Sequence, residues 1–502
     1  MNPAEQIVLI GVAQQTWKDR DRSRTPVDAL QAVATQALSD SGSEKVIGSV
    51  DAMVHVPFLL NQVPEMAASM PRNPGAAVAE RLGISPKQYT ADVGGNLPQQ
   101  LVNEFAQRLR RGAHRVVIVS GVELLSTFLG SLRTGDPFPD WTSGMESDAE
   151  QVGATPAMSA PSELLHQLYE PINVYPLFES ALRHAKGLSR EAHLSRLGQL
   201  ISSMSAVSAD NPYAWKRARF TPEQAVSTEN GNRMISYPYT KVMNAIINVD
   251  QAAAIVMTTA KEAAALGVDP SRWIYLRGGA SAHDSWFLTE RVSLDSSAAL
   301  ENAGKAALQR SGVALDEISH FDLYSCFPSA VQVACDALGL SMDDPRGVTV
   351  TGGLTLFGGP GNNYSLHAIA SMVDRLRESS GSGLVSANGG YLTKHSVGVY
   401  STEPGDDAWA DADDSSLQAA VDALEAPTLA DVGDGAFTLE AHTVSFNGDE
   451  PRAAITLGRL DDGRRCEAVS EDAAVMQALL DDDCVGSVGA VSHKDGVNTL
   501  SL

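Results

Sequence analysis

Four short stretches of this 502-residue chain carry residue types that could do chemistry. Gly94-Gly95-Asn96 stands just ahead of an apolar-striped helical pattern. Backbone N–H groups there, unhindered by β-carbons at the glycines, could hold a carbonyl oxygen or an anion, and a tight strand-to-helix turn would need the same glycines. Tyr324, in Asp322-Leu323-Tyr324-Ser325-Cys326-Phe327, ends a strand pattern. A phenol in that place can donate a hydrogen bond or exchange a proton, or it can pack half-buried. A glycine-rich run, Gly352-Gly353-Leu354-Thr355-Leu356-Phe357-Gly358-Gly359-Pro360-Gly361-Asn362-Asn363-Tyr364-Ser365-Leu366-His367, leads into a helical pattern. The fourth stretch is Leu384-Val385-Ser386-Ala387-Asn388-Gly389-Gly390, with Tyr391, Lys394 and His395 close behind. His367 and His395 could move a proton near neutral pH, although a lone histidine also serves as a structural residue.

These stretches must be positioned by a layered scaffold. Apolar runs recur at Ile7 to Val12, Val116 to Val119, Ala252 to Thr258, Ile274 to Leu276, Phe321 to Leu323, Leu384 to Ala387 and Val397 to Tyr400. Most are continuous rather than alternating, which fits strands buried on both faces, and helical patterns lie between them. Leu97 to Arg111 is one such helix, with Leu101, Val102, Phe105, Ala106 and Leu109 on one stripe and Gly112 as its stop signal. The class is α/β, with sheets covered by helices.

Between residues 125 and 248, Pro137, Pro139, Pro156, Pro161, Pro171, Pro176 and Pro212 interrupt short helical pieces, which reads as an inserted, loop-rich subdomain. Glu403, Asp406, Asp407, Asp411, Asp413 and Asp414 crowd the start of a solvated linker over 403–432. Beyond it, Phe437 to Phe446 and Arg452 to Leu460 alternate as strands around an Asp461-Asp462-Gly463 turn, so a small all-β unit over 433–502 closes the chain.

Composition narrows the partners. A net charge of -24 opposes nucleic acid and anionic membrane surfaces, while leaving room for a local basic site. The four cysteines, Cys326, Cys335, Cys466 and Cys484, have no metal-type spacing and read as free thiols in a reducing, cytoplasmic setting. The first residues have no basic-then-apolar order, and no stretch reaches the ~18 apolar residues of a membrane span.

The order of these stretches resembles the thiolase superfamily. The run from Gly352 looks like the thiolase Gly-His-Pro loop, and Gly359 falls at its histidine position. Counting back from Gly112 and Glu123 places Gly95 where the nucleophilic cysteine would stand, and Ser386 matches the second cysteine of the Cys-x-Gly-Gly-Gly segment. Tyr324 takes the oxyanion-hole place of the Asn-Glu-Ala-Phe or His-Asp-Cys-Phe box, and Cys326 matches a packing cysteine there. Asn173-Val174-Tyr175-Pro176-Leu177-Phe178, Asn211-Pro212-Tyr213-Ala214, Ile235-Ser236-Tyr237-Pro238 and Asn248-Val249-Asp250-Gln251-Ala252-Ala253-Ala254 look like the loop domain of sterol-carrier-protein-type thiolases. A thiolase core without its Cys, His and Cys catalysts, followed by a further β domain, resembles thiolase-like protein type 1.

The resemblance implies a thiolase fold of two similar βαβαβαββ halves in α-β-α-β-α layers. The halves are 1–255, containing the loop domain 125–248, and 256–402, and the closing unit is a small OB-like barrel. It implies coenzyme A or acyl-CoA as ligand or substrate, with no permanently bound cofactor and no metal. Arg183, His184, Lys186, Arg217 and Arg219 are the basic candidates for its phosphates, or else solvated surface charges. Backbone from Gly94, Gly95, Asn96, Gly358, Gly359 and Gly389 could hold thioester oxygens, with Tyr324, Ser386, His367 and His395 as the groups left for catalysis. Homodimer and monomer both stay open.

Three functions fit. The chain is an acyl-CoA-handling enzyme of lipid metabolism, acyltransferase-like or making and breaking carbon–carbon bonds, with retro-aldol cleavage as its specific version. It is a non-catalytic binder of acyl-CoA or lipid. Or it is an interaction subunit for a partner enzyme.

Overall fold

A computed structural model describes residues 5–142, 148–406 and 412–502. Its core is a ten-stranded sheet in which two similar halves meet edge to edge. The first half runs, in spatial order, Ile7–Thr16, Asp250–Thr259, Val116–Leu124, Val50–Val56, Lys87–Ala91 and Glu150–Val152. The second runs Ile274–His283, Lys394–Ser401, Ser382–Gly389 and Ile318–Asp322. Only the pairs Val8 with Tyr275 and Leu9 with Ile274 join them. In both halves the last strand lies antiparallel beside the first, Asp250–Thr259 on Ile7–Thr16 and Lys394–Ser401 on Ile274–His283.

Two helices lie between the halves and set the site. Leu97–Arg110 packs on strands of both halves, and Tyr364–Ser379 packs against it. Their apolar stripes explain the placement. Leu101, Val102, Phe105 and Ala106 are fully covered, as are Tyr364 to Ala370, a run that a surface helix would expose on one side. Val116–Leu124 is buried at every residue, as a strand with helices on both faces must be.

All seven apolar runs read from the sequence lie on strands or reach to their ends. Val50–Val56, Lys87–Ala91 and Glu150–Val152 are additional; the second, Lys-Gln-Tyr-Thr-Ala, has few apolar residues because only alternate side chains face the core. The loop domain holds more regular structure than its prolines imply: Pro171–Ala185 is a helix with Pro176 inside it, and Arg190–Asp210 is a helix of 21 residues. Ser189 caps the latter by accepting the Ala192 N–H.

Within the segment expected as a linker, Asp407 and Asp411 lie outside the described residues. The rest is tied to the core rather than solvated throughout. Ser415–Asp422 is a helix, Asp414 accepts the Ser281 N–H and pairs with Arg310 at 2.5 Å, and Gln418 accepts the His283 N–H.

The C-terminal strands close a five-stranded barrel. Gly435–Asn447, Glu450–Leu460, Arg465–Ser470, Val497–Ser501 and Val488–Lys494 follow one another around it and return to the first, with helix Ala473–Asp481 between the third and fourth in sequence. Phe437, Leu439, Val444, Ala468 and Leu479 fill it. The barrel docks on the loop domain through a backbone bond, Tyr237 N–H to Val444 O, and a bond from the His442 N–H to the Ser180 side-chain Oγ.

Candidate active site

The two central helices begin side by side, and their first residues are tied together. Gly94 has φ 137°, a conformation that needs glycine, and its N–H donates to Asn362 Oδ1 at 2.9 Å. The Gly95 carbonyl accepts from Ser365 Oγ at 2.6 Å. The turn ahead of one helix is therefore held by the glycine loop ahead of the other. Because the Gly94 N–H is spent on Asn362 and the Gly359 N–H on Ile246 O, neither donates to a ligand carbonyl. This corrects the expectation that both serve an oxyanion.

Tyr324 fills the place beside Gly95. A β-carbon added at Gly95 would lie 2.0 Å from Tyr324 Oη and 2.6 Å from Asn388 O. The phenol thus occupies the volume that a side chain at the cysteine position would need. Ser386 holds it there by accepting the Tyr324 N–H at 3.2 Å, so Ser386 positions the tyrosine rather than exchanging protons. Tyr364 packs edge-on against it, with ring centroids 5.4 Å apart. The buried Asp322 carboxylate accepts from Tyr364 Oη, Thr349 Oγ1 and the Thr351 N–H, stapling the strand end to the glycine loop. Burial pushes the Tyr324 phenol above its ordinary range, with Cys326 adding to the shift, so it stays protonated. Its hydroxyl has no hydrogen-bond partner among the described residues, which leaves a donor free at the oxyanion place.

No thiol takes over the nucleophile's role. Burial pushes Cys326 up to about 12, against the opposing pull of the Tyr175 hydroxyl and of Asn388 Nδ2 at 3.9 Å. Cys335 and Cys466 are likewise pushed up to about 12. At Gly359 the space beside the α-carbon is lined by Leu354 and Ala245, which can neither give nor take a proton.

The two histidines sit apart from Tyr324. His367 bonds Gln14 Oε1 through Nδ1 at 3.1 Å and packs on Phe357, and burial lowers its pKa to about 3. His395 bonds Leu392 O and Ser297 Oγ through Nε2, lies 3.8 Å from Asp284, and is lowered to about 4, again by burial first. Neither contacts the phenol, so both are corrected from proton carriers of that site to buried neutral residues. Gly389 and Asn96 do belong to it: a β-carbon at Gly389 would meet Asn96 Oδ1 at 2.3 Å.

The basic candidates divide. Arg219, Lys216 and Lys241 line a cavity of about 770 Å³ on the loop domain, which Thr355 of the glycine loop also reaches. Arg217 instead donates to Ala209 O. Arg183 and His184 turn to the barrel: Arg183 is buried and donates to Leu188 O, and His184 lies 3.6 Å from Asp483, so neither is placed for a phosphate at that cavity. Lys186 pairs with Asp336 at 2.7 Å. Lys216 and Lys241 were missed because nothing local marks them; the fold brings together two loops 25 residues apart. Lys394, one of the titratable groups that follow Ser386 in sequence, places its Nζ 2.8 Å from where a Gly94 β-carbon would be, on another side of the same turn.

Residues 416–496 match the family model "Thiolase-like protein type 1 additional C-terminal domain". Over 100% of both chains the protein is similar, at 32% identity and TM-score 0.85, to a monomeric SCP2-thiolase-like protein type 1 from Mycobacterium smegmatis. The chain belongs to the thiolase-like protein type 1 family. Comparison with curated proteins gives no match. The thiolase fold extends to more distant structures. An Ltp2-ChsH2(DUF35) aldolase matches at TM-score 0.59 and 17% identity, over 79% of this chain and 98% of that one. An acetyl-CoA acetyltransferase from Syntrophomonas wolfei matches at 0.56 and 16%, over 79% and 99%. This type 1 thiolase-like chain therefore keeps the thiolase scaffold, with a tyrosine hydroxyl packed against the α-carbon of Gly95.

Proposed function

We propose that the protein handles acyl-CoA thioesters without forming an acyl-enzyme, and that its reaction is carbon–carbon bond cleavage or formation through an enolate, retro-aldol cleavage of a β-hydroxyacyl-CoA in its specific form. The observation that carries this is Tyr324 Oη lying in the β-carbon space of Gly95. A free phenolic O–H at that point offers a hydrogen bond to a thioester carbonyl, whose oxygen gains negative charge as the enolate forms. Acyl transfer through a cysteine needs a thiolate, and every thiol here is buried and raised. In the cavity, Lys216 and Lys241 would meet the CoA phosphates as cationic partners, while Arg219 is paired with Asp210 at 2.8 Å.

The likeness to an aldolase built on a thiolase-type subunit agrees with this reading, and the fused barrel would stand in for a separate β partner. A second reading, a non-catalytic acyl-CoA binder, is favoured by one fact: His367 and His395 keep other partners, so neither supplies a base at the phenol.

The sheet edge supports one reading of the solution state. Thiolases dimerise through core strands, and here Glu150–Val152 pairs in parallel with Lys87–Ala91, covering one edge of the sheet with the chain's own backbone. We take the protein to be a monomer.

Calorimetry with CoA, acyl-CoAs and β-hydroxyacyl and steroid thioesters, followed by mass analysis of each mixture, tests the proposal. A cleaved product from a β-hydroxyacyl thioester supports it. Binding without product turns it into the binder reading, and no binding to any of them removes the acyl-CoA assignment.

A further inference from the structure

Lys394 stands on the wall of a second cavity, of about 350 Å³, which is distinct from the one lined by Lys216 and Lys241. It lies between the first turn of Leu97–Arg110, the segment 152–155, the end of strand Ile274–His283 and helix Ser415–Asp422. Trp286 and His283, their rings 4.3 Å apart, add an aromatic surface.

The lysine is 7% exposed and forms no ion pair among the described residues. Its Nζ donates to Val93 O and to Thr155 Oγ1 at 2.9 Å. The nearest acid, Asp92, is occupied by the backbone N–H groups of Val93 and Thr155. Asp414, also on the cavity, is paired with Arg310. A buried ammonium without a counter-charge is costly, whereas a neutral amine in this place is satisfied: it has two N–H bonds and two acceptors, and its lone pair remains. Burial lowers the Lys394 pKa to about 8, with Asp92 drawing it back up. His395, on the same cavity, gives its Nε2 proton to Leu392 O and so keeps Nδ1 as an acceptor.

We propose that this cavity takes a small aldehyde or ketone, which Lys394 captures as an imine. The nitrogen lone pair attacks the carbonyl carbon while one N–H proton passes, relayed by water, to the carbonyl oxygen; the carbinolamine then loses its hydroxyl group together with the second N–H proton as water, leaving the carbon–nitrogen double bond. No electrons are exchanged. The assignment is independent of the acyl-CoA reading, which uses the other cavity and Tyr324.

The test is reductive trapping. The full chain is incubated at neutral pH with acetaldehyde or acetone and cyanoborohydride, and the modified lysines are mapped by peptide mass analysis. An amine of pKa about 8 has a neutral fraction roughly a hundredfold above that of an ordinary lysine, so Lys394 should be alkylated at least about tenfold faster than exposed Lys18, Lys45 or Lys261. Lys394→Met should lose that adduct and keep CoA binding. Labelling that follows exposure, with Lys394 unmodified in the wild-type chain, overturns the proposal whether or not the variant folds.

Discussion

Tyr324 Oη lies 2.0 Å from the point a β-carbon would occupy on Gly95, and Asn388 O lies 2.6 Å from the same point. Glycine at 95 and tyrosine at 324 are therefore one structural decision: either residue forbids the usual side chain at the other. The peptide carbonyl of Asn388 cannot rotate away as a phenol can, so the site resists even the smallest enlargement.

Gly95→Ala should cost about 2–3 kcal/mol in urea unfolding, the range for forcing a methyl into a closed space. Tyr324→Phe deletes the nearer clashing atom and should recover part of that loss in the double variant, with a coupling of about 1 kcal/mol. Strict additivity would show that the two residues are not packed as described.

Tyr324→Phe alone should lower turnover of any productive thioester by about a hundredfold or more, the scale of one lost oxyanion donor, while CoA affinity changes less than about twofold. Unchanged turnover would remove the phenol from the mechanism.

Lys216→Ala and Lys241→Ala should each weaken CoA binding by about fivefold or more in calorimetry at low salt, and the loss should shrink as salt rises. Arg183→Ala, facing the barrel, should leave CoA affinity unchanged. The reverse ranking would move the nucleotide site to the barrel interface.

Stability should peak between about pH 6 and 7. His55, His367, His395 and His442 are lowered to about 3, 3, 4 and 4, in each case by burial first. Their folded pKa values lie below the ordinary 6.5, so their contribution is full above pH 6.5 and is lost as pH falls toward 4. Glu123 has the opposite sign. Burial raises it to about 8, so its contribution is present below 4.5 and is lost as pH rises through 8. Thermal melts of wild type and Glu123→Gln across pH 5 to 9 check this: the variant should lose the decline that Glu123 imposes between about pH 5 and 8, so its optimum should move to higher pH.

Native-state alkylation offers a separate check on the thiols. Iodoacetamide at pH 7.5 should leave Cys326, Cys335 and Cys466 unmodified in the folded chain and label them on unfolding. Rapid labelling of Cys326 would reopen a cysteine mechanism.

The sequence by itself determined the architecture. Buried strands need uninterrupted apolar runs, helices need stripes and the barrel needs alternation, so Val116 to Val119, Leu97 to Arg111 and Phe437 to Phe446 announce their elements locally. The glycines at 94, 95 and 352 to 361 were equally legible, since positive φ and close backbone approach leave few other residue types. Val50–Val56, Lys87–Ala91 and Glu150–Val152 escaped, the second because it mixes polar and apolar residues along its length and the third because it is three residues long and mostly polar. Only the tertiary structure decided which groups meet. Nothing in the spacing between residues 95 and 324 says that a phenol fills the β-carbon space of Gly95, that His367 turns to Gln14, or that Arg183 faces the barrel while Lys216 and Lys241 share a cavity. Chemistry at a site depends on distances between side chains from different elements, and those distances are set by packing rather than by order along the chain.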